Sequence, residues 1–198
     1  MTVGQQRRRG RLLEDAIHDA VIDELLQAGY GRLTMEGVAA RARTAKASLY
    51  RRWSSIEELV IDTVDRRMTQ PEEYPDTGSV REDLVVGFGR MLDTLNSPAG
   101  RAIAGLLGAL PYAPGLQKAA RERIVRPRAQ AVADTIQRGV DRGEVRPGAV
   151  TPFVAASGPA LIIYTYLIQG LELSGRDIED IVDQVVMPAV QVSSFRSG

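Results

Sequence analysis

Apolar residues return every three or four positions along most of the chain, which is the spacing of helices with one buried face. From Arg11 to Ala28, the residues Leu12, Leu13, Ala16, Ile17, Ala20, Val21 and Leu25 form one stripe. Gly29 follows as a natural residue just past a helix end. His18, the sole histidine, lies off this stripe and reads as a surface residue with no role as ligand or base. A short pattern places Met35, Val38, Ala39 and Ala42 on one face, with Thr34 as N-cap and Glu36 in the first turn, where the helix dipole favours negative charge. After a break of three to four residues a second short helix begins at about Thr44. Leu49 and Trp53 form its apolar side, and Lys46, Ala47, Tyr50 and Arg51 fall opposite. A fourth helix opens on a capping box of Ser55 and Glu58 and carries Ile56, Leu59, Val60, Thr63, Val64 and Met68.

Residues 69–78 are rich in turn formers and mark the best boundary, dividing residues 1–68 from 79–198. Beyond it, Ser79 and Glu82 predict a capping box for a helix bearing Leu84, Val85, Phe88, Met91, Leu92 and Leu95. Ser97 and Pro98 open a further helix, with Ile103, Leu106, Leu107 and Leu110, that stops near Pro111. A long helix is expected from about Pro114 to Arg142, bent or interrupted at Pro127, where a backbone donor is missing. Residues 147–171 carry no charge, and Thr151-Pro152 opens a helix through Ile168 that is apolar on all sides. Such a stretch either spans a membrane or is buried in protein; the Ser157-Gly158-Pro159 step, the threonines and Gln169 favour burial. The last helix runs from about Arg176 to Val192, kinked or ended at Pro188. The fold class is therefore all-α, with no strand pattern and no repeat.

Charge is balanced overall, 25 basic against 25 acidic residues, yet unevenly placed. Residues 1–67 hold 12 basic and 10 acidic residues and the remainder 13 and 15. Arg7, Arg8, Arg9 and Arg11 sit together at the start, as a solvated tail or an arm that reaches DNA. There is no cysteine, which excludes disulfides, thiolate metal sites and a cysteine nucleophile. The N-terminal arginines have no apolar run behind them, so no signal peptide is expected and a cytoplasmic protein is.

The candidate chemistry concentrates between Arg41 and Trp53, where Arg41, Arg43, Lys46, Arg51 and Arg52 occur with no acid among them. A short helix with a cationic face and small side chains suits the DNA major groove: the cations attract phosphates, and alanine and serine let the backbone approach base edges. The alternative is a helical hairpin with a solvated charged face. The candidate DNA-contacting set is Thr34, Arg43, Thr44, Ala45, Lys46, Ala47, Ser48, Tyr50 and Arg51.

Ile17 to Val64 resembles the DNA-binding domain of the TetR family of bacterial transcription regulators. The resemblance rests on Ala28-Gly29-Tyr30, Leu33 to Ala39, Ala45 to Tyr50, the aromatic Trp53, and Ser55 with Glu57-Glu58-Leu59. Residues from Ser79 on resemble, less closely, one of that family's regulatory domains, through Ser97 to Arg101, Arg126-Pro127-Arg128 and Arg142 to Pro147. Two positions depart from the family pattern. Arg43 stands where glycine is usual, so a left-handed backbone there would be strained, and Ile56 stands where a lysine is frequent.

The resemblance implies a three-helix helix-turn-helix domain followed by a helical ligand-binding and dimerisation domain. It implies a homodimer through residues 151–192, binding a pseudo-palindromic operator and released by a small molecule, with no cofactor, no metal and no enzymatic activity. Candidate pocket residues are Phe88, Met91, Leu92, Leu106, Leu110, Tyr112 and Tyr164, each of which would serve equally as core. Two other readings stand beside it: a helical enzyme or carrier, and an architectural DNA binder with no effector.

Overall fold

The computed structural model describes residues 3–68 and 74–191, with side chains over 11–67 and 74–191. Within that span the architecture is helical, and no strand occurs among the described residues. Chain contacts divide the protein into two units: Met1–Thr69 with Leu95–Arg121, and Gln70–Thr94 with Glu122–Gly198.

In the first unit, α1 is Val3–Ala28, α2 Met35–Arg41, α3 Lys46–Tyr50 and α4 Ile56–Met68. The helix begins upstream of the expected Arg11 because Gln5 to Arg9 are good helix formers. Residues 1–2 and the side chains of Arg7, Arg8, Arg9 and Met68 lie outside the described residues, as do residues 69–73 of the expected linker. The buried face of α1 is rotated from the expected stripe. Leu12 and Ala16 are exposed, while Ile17, Val21, Ile22 and Leu25 are buried. His18 is buried with them, fully withdrawn from solvent, which corrects its reading as a surface residue. Its spacing from Val21, Ile22 and Leu25 explains why: three, four and seven residues lie on one helical face. Thr34 caps α2 as expected, its Oγ1 accepting the Gly37 amide at 3.1 Å. The predicted box at α4 forms in a shifted version. Ser55 Oγ accepts the Glu58 amide at 3.1 Å, but the Glu58 carboxylate turns back to the amide and hydroxyl of Ser54.

The segment 95–121 packs with the N-terminal helices through contacts that local periodicity does not encode. Here α6 is Pro98–Ala104, capped by Ser97. A tight 3₁₀ run over Gly105–Tyr112 replaces the expected α-helix to Leu110, and α7 is Pro114–Ala120. α6 lies on α1 and α7 on α4. The Glu57 carboxylate of α4 accepts the Leu116 amide at 2.8 Å, supplying the acceptor that the start of α7 lacks. Gly115 lets it approach, since a Cβ there would stand 2.6 Å from Glu57 Oε1.

The second unit holds residues 80–94 of α5 (Val80–Asn96), together with α8 (Arg126–Asp141), α9 (Pro152–Ile163), α10 (Gly175–Ile181) and α11 (Met187–Val190). The interruption expected at Pro127 takes the form of a π-turn, Arg121–Val125, just before it. Pro188 is preceded in the same way by the π-turn Val182–Val186. In each case the proline removes the donor to the carbonyl four residues back, and the preceding turn widens. α9 is capped by Thr151 with Pro152 in its first turn, as expected, but it gives way at Tyr164–Ile168 to another π-turn. No helix among the described residues is long and apolar enough to cross a membrane.

A polar network holds residues 75–80 to this unit. Buried Asp83 accepts the Thr77 amide at 2.9 Å and its hydroxyl at 2.8 Å. Arg138 donates to the Pro75 carbonyl at 2.9 Å, and Glu144 accepts the Val80 amide at 2.8 Å. Phe88 is the pivot of the apolar core: its ring meets Tyr74 edge-on at 6.2 Å and lies directly against Gly158 of α9. A methyl at position 158 has no room unless Phe88 moves. Gly158→Ala should therefore destabilise by about 1–3 kcal/mol, the usual cost of overpacking, read as a lowered melting temperature. An unchanged melt would mean that Phe88 has space to yield.

Candidate nucleic-acid interface

The α2–α3 junction is a tight turn with the hydrogen bonds of a Schellman motif. The Thr44 amide donates to the Ala39 carbonyl at 3.0 Å, and the Arg43 amide to Ala40 at 3.1 Å. Arg43 takes the left-handed conformation, φ 51°, the only non-glycine with positive φ among the described residues. The strain expected at this position is present, and for an L-residue it costs about 1–2 kcal/mol. Arg43→Gly should raise stability by part of that, since glycine gives some back as unfolded-state entropy. It should also remove an exposed cation, so the same variant is expected to melt higher and bind DNA more weakly. A variant that melts lower would contradict the strain argument.

α3 starts one residue later than expected. Its N-cap is Ala45, with no side-chain oxygen to bond the first amides, and Thr44 belongs to the turn instead. Leu49 is fully buried and anchors the helix, while Arg43, Ala45, Lys46, Ala47, Tyr50 and Arg51 are exposed and Thr44 and Ser48 half-buried. Thr34 is exposed at the start of α2. The structure thus brings the candidate set onto two short helices and the turn between them, with the anchor residue beneath.

The cations divide into two groups. Arg41 is clasped by α1, bonding Glu24 at 2.7 Å and Gln27 at 2.6 Å. Arg52 lies 3.3 Å from Glu14 and donates to the Ser48 carbonyl at 3.2 Å. These two fix α2 and α3 to α1. Arg43, Lys46 and Arg51 remain on the exposed face, Arg51 with a single 3.3 Å bond to Ser48 Oγ. Lys46 is paired with Glu36 and lies 5.4 Å from the Tyr50 ring centre. The bond from Lys46 holds the Glu36 carboxyl below its ordinary pKa and raises that of Lys46. Sequence reasoning placed Glu36 in a favourable first turn but missed this pairing, because ten residues and a turn intervene.

Beneath the face, Trp53 is buried and donates its Nε1–H to Asp62 of α4 at 2.9 Å. The His18 ring meets Trp53 nearly perpendicular at 5.6 Å, and its Nδ1 lies 2.8 Å from Thr63 Oγ1.

The candidate pocket residues fall in both units. Phe88, Met91 and Leu92 are buried in the second, and Tyr164 there is 49% exposed. Leu106 is buried in the first, Leu110 is half-buried and Tyr112 is 89% exposed. Tyr112 thus stands in solvent, and Phe88 is committed to packing. Among the described residues no group of three His, Cys, Asp or Glu is placed to hold a metal ion.

Residues 17–63 match the model described as bacterial regulatory proteins, tetR family, and residues 74–185 match the tetracyclin repressor-like C-terminal domain. YdeS of Bacillus subtilis, named as an HTH-type transcriptional regulator, is 30% identical over 183 residues, covering 89% of this chain and 91% of its own. The DNA-binding transcriptional repressor TetR of Mycobacteroides abscessus is 25% identical over 187 residues, covering 92% and 98%. In three dimensions the chain is similar to SmeT, the repressor of the Stenotrophomonas maltophilia multidrug efflux pump SmeDEF. The TM-score is 0.70 at 19% identity, over 91% of each chain, a likeness of fold.

Proposed function

This chain belongs to the TetR family of bacterial helix-turn-helix transcription regulators, and on that footing we propose that it is a repressor that binds a two-fold symmetric operator as a homodimer and leaves it when a small molecule binds. The observation that carries the reading is the placement of Arg43, Lys46, Tyr50 and Arg51 on one exposed face, with Leu49 of α3 buried beneath it. Such a face meets phosphates with its cations and offers Ala45, Ala47 and Ser48 to base edges. One helix of this length reads few base pairs, so two copies are needed for a specific site.

Residues 151–192 supply the dimer contact in this proposal. α9 buries only Ala155, Gly158 and Ile162. Phe153 is 89% and Ile168 72% exposed, and Tyr164, Leu171 and Val185 are also open. An uncharged surface of this kind marks an interaction site, and a two-fold partner would cover it with the same surface. The effector is an apolar or weakly polar molecule held within residues 79–170, and it acts only if it prefers one arrangement of the recognition helices over the other.

The test is selection from a random-sequence duplex library with purified protein, followed by light scattering. Enrichment of an inverted repeat by a dimer is expected. A monomer at micromolar concentration, or retention with no sequence enriched, overturns the reading; the second outcome is that of an architectural binder. A ligand screen by thermal shift then checks the effector: a ligand at a hundredfold excess over its Kd adds about 2.7 kcal/mol and should release the selected duplex.

A further inference from the structure

We propose that His18 is a positioning residue for the recognition helix and that its protonation weakens the hold on DNA; the inference rests on the DNA-binding reading above. The ring is wholly buried between α1 and α4. Thr63 donates its hydroxyl proton to the Leu59 carbonyl at 2.8 Å, so Thr63 Oγ1 faces His18 as an acceptor. Neutral His18 therefore carries its proton on Nδ1. Nε2 is left with a lone pair, no hydrogen-bond partner, and Asp62 Oδ2 at 3.5 Å. That same oxygen accepts the Trp53 indole N–H at 2.9 Å, and the Trp53 amide closes the end of α3 on the Leu49 carbonyl at 3.0 Å. One carboxylate oxygen thus stands between the histidine and Trp53, whose amide closes the recognition helix α3.

A proton on Nε2 changes this arrangement. It converts a lone pair facing a carboxylate into a charged donor that competes with Trp53 for Oδ2. The charges acting on the ring are Asp62, Arg66 and Arg67 of α4 and Glu14 of α1. Arg52, beyond α3, is held by Glu14, and Arg101 of α6, the helix packed on α1, is engaged by the Asn96 carbonyl and is not among them. Burial is the strongest influence and lowers the His18 pKa below 6.5; Asp62 opposes it, and Arg66 and Arg67 reinforce it. The sign follows. The unfolded chain takes the proton more readily than the folded one, so the stability due to neutral His18 is complete above 6.5 and is lost as pH falls through the lower folded pKa.

The chain has one histidine and one tryptophan, so Trp53 emission reads His18 directly in tag-free protein. Wild type and His18→Asn, whose amide keeps the donor to Thr63 but takes no proton, are titrated downward from neutral pH. Trp53 emission is followed in free protein, and affinity is measured for a duplex selected as above. In wild type the emission should change with a midpoint below 6.5, and affinity should fall beneath that midpoint by at most about tenfold per pH unit for each protomer, about a hundredfold for a dimer whose two histidines each take one proton. His18→Asn should be flat in both. The imidazole Hε1 resonance of wild type gives the midpoint with no substitution, should the variant fold poorly. Wild-type emission that does not titrate, a midpoint that differs from that of the imidazole, or parallel affinity losses in both proteins overturns the proposal. Failure of the DNA-binding reading looks different: neither protein retains any duplex at any pH while the Trp53 titration is intact.

Discussion

Ile162→Glu should cost several kcal/mol, a large part of the 5–15 kcal/mol that holds a typical domain together. Ile162 is fully buried in α9, which packs on α8 and on the turn Val182–Val186. The substitution removes a branched apolar side chain from a filled site and puts there a carboxylate with no partner. Denaturant unfolding followed by circular dichroism should show the midpoint shift. Ile168→Glu is the informative contrast. It lies in the same uncharged stretch but is 72% exposed, so a lone protomer should tolerate it. If residues 151–192 form the dimer contact, Ile168→Glu leaves the helical signal intact and turns the dimer into a monomer by light scattering. A fully dimeric Ile168→Glu protein would remove that segment from the interface. A stable Ile162→Glu protein would mean that α9 is not seated in the core as described.

The contrast also shows what the sequence could carry. An uncharged run at 147–171 is legible, but its two faces are not, because no position is charged, the few polar ones are scattered, and periodicity has little to vary. α2 and α3 were legible because their apolar residues alternate with charges at helical spacing and because Thr34 is a capping residue. The strain at Arg43 came from the resemblance, since only a known glycine position pointed to a left-handed turn there. The burial of His18 is hard to read from the sequence because a polar residue inside an apolar face breaks the pattern that identifies the face; its spacing to Val21, Ile22 and Leu25 is the one signal. The pairing of Glu36 with Lys46, the turn of Glu58 to Ser54, and the grouping of residues 95–121 with the N-terminal helices depend on contacts across turns or long loops. An aromatic ring with a hydroxyl suits a pocket wall and an open surface alike, so the residue type of Tyr112 carries no signal of its exposure.

Replacing Arg43, Lys46 and Arg51 together with glutamine should abolish most DNA binding at low salt. Each phosphate contact contributes about −0.9 to the slope of log affinity against log salt, so losing three removes about 2.7 per protomer. Between molar and 50 mM salt that slope amounts to a loss of roughly three thousandfold per protomer, with melting unchanged because none of the three side chains is buried. Lys46 decides how much of this is available in the free protein. Its ammonium is held by Glu36, and a phosphate must displace that carboxylate or share it. If displacement occurs, Lys46→Gln alone lowers the slope by about one unit, and Glu36→Gln tightens binding to any duplex by removing both the competitor and a repelling charge. If the pair persists on DNA, Lys46→Gln changes the slope little while Arg43→Gln and Arg51→Gln each change it fully. A triple variant that keeps the wild-type slope would take the whole α3 face out of contact with DNA.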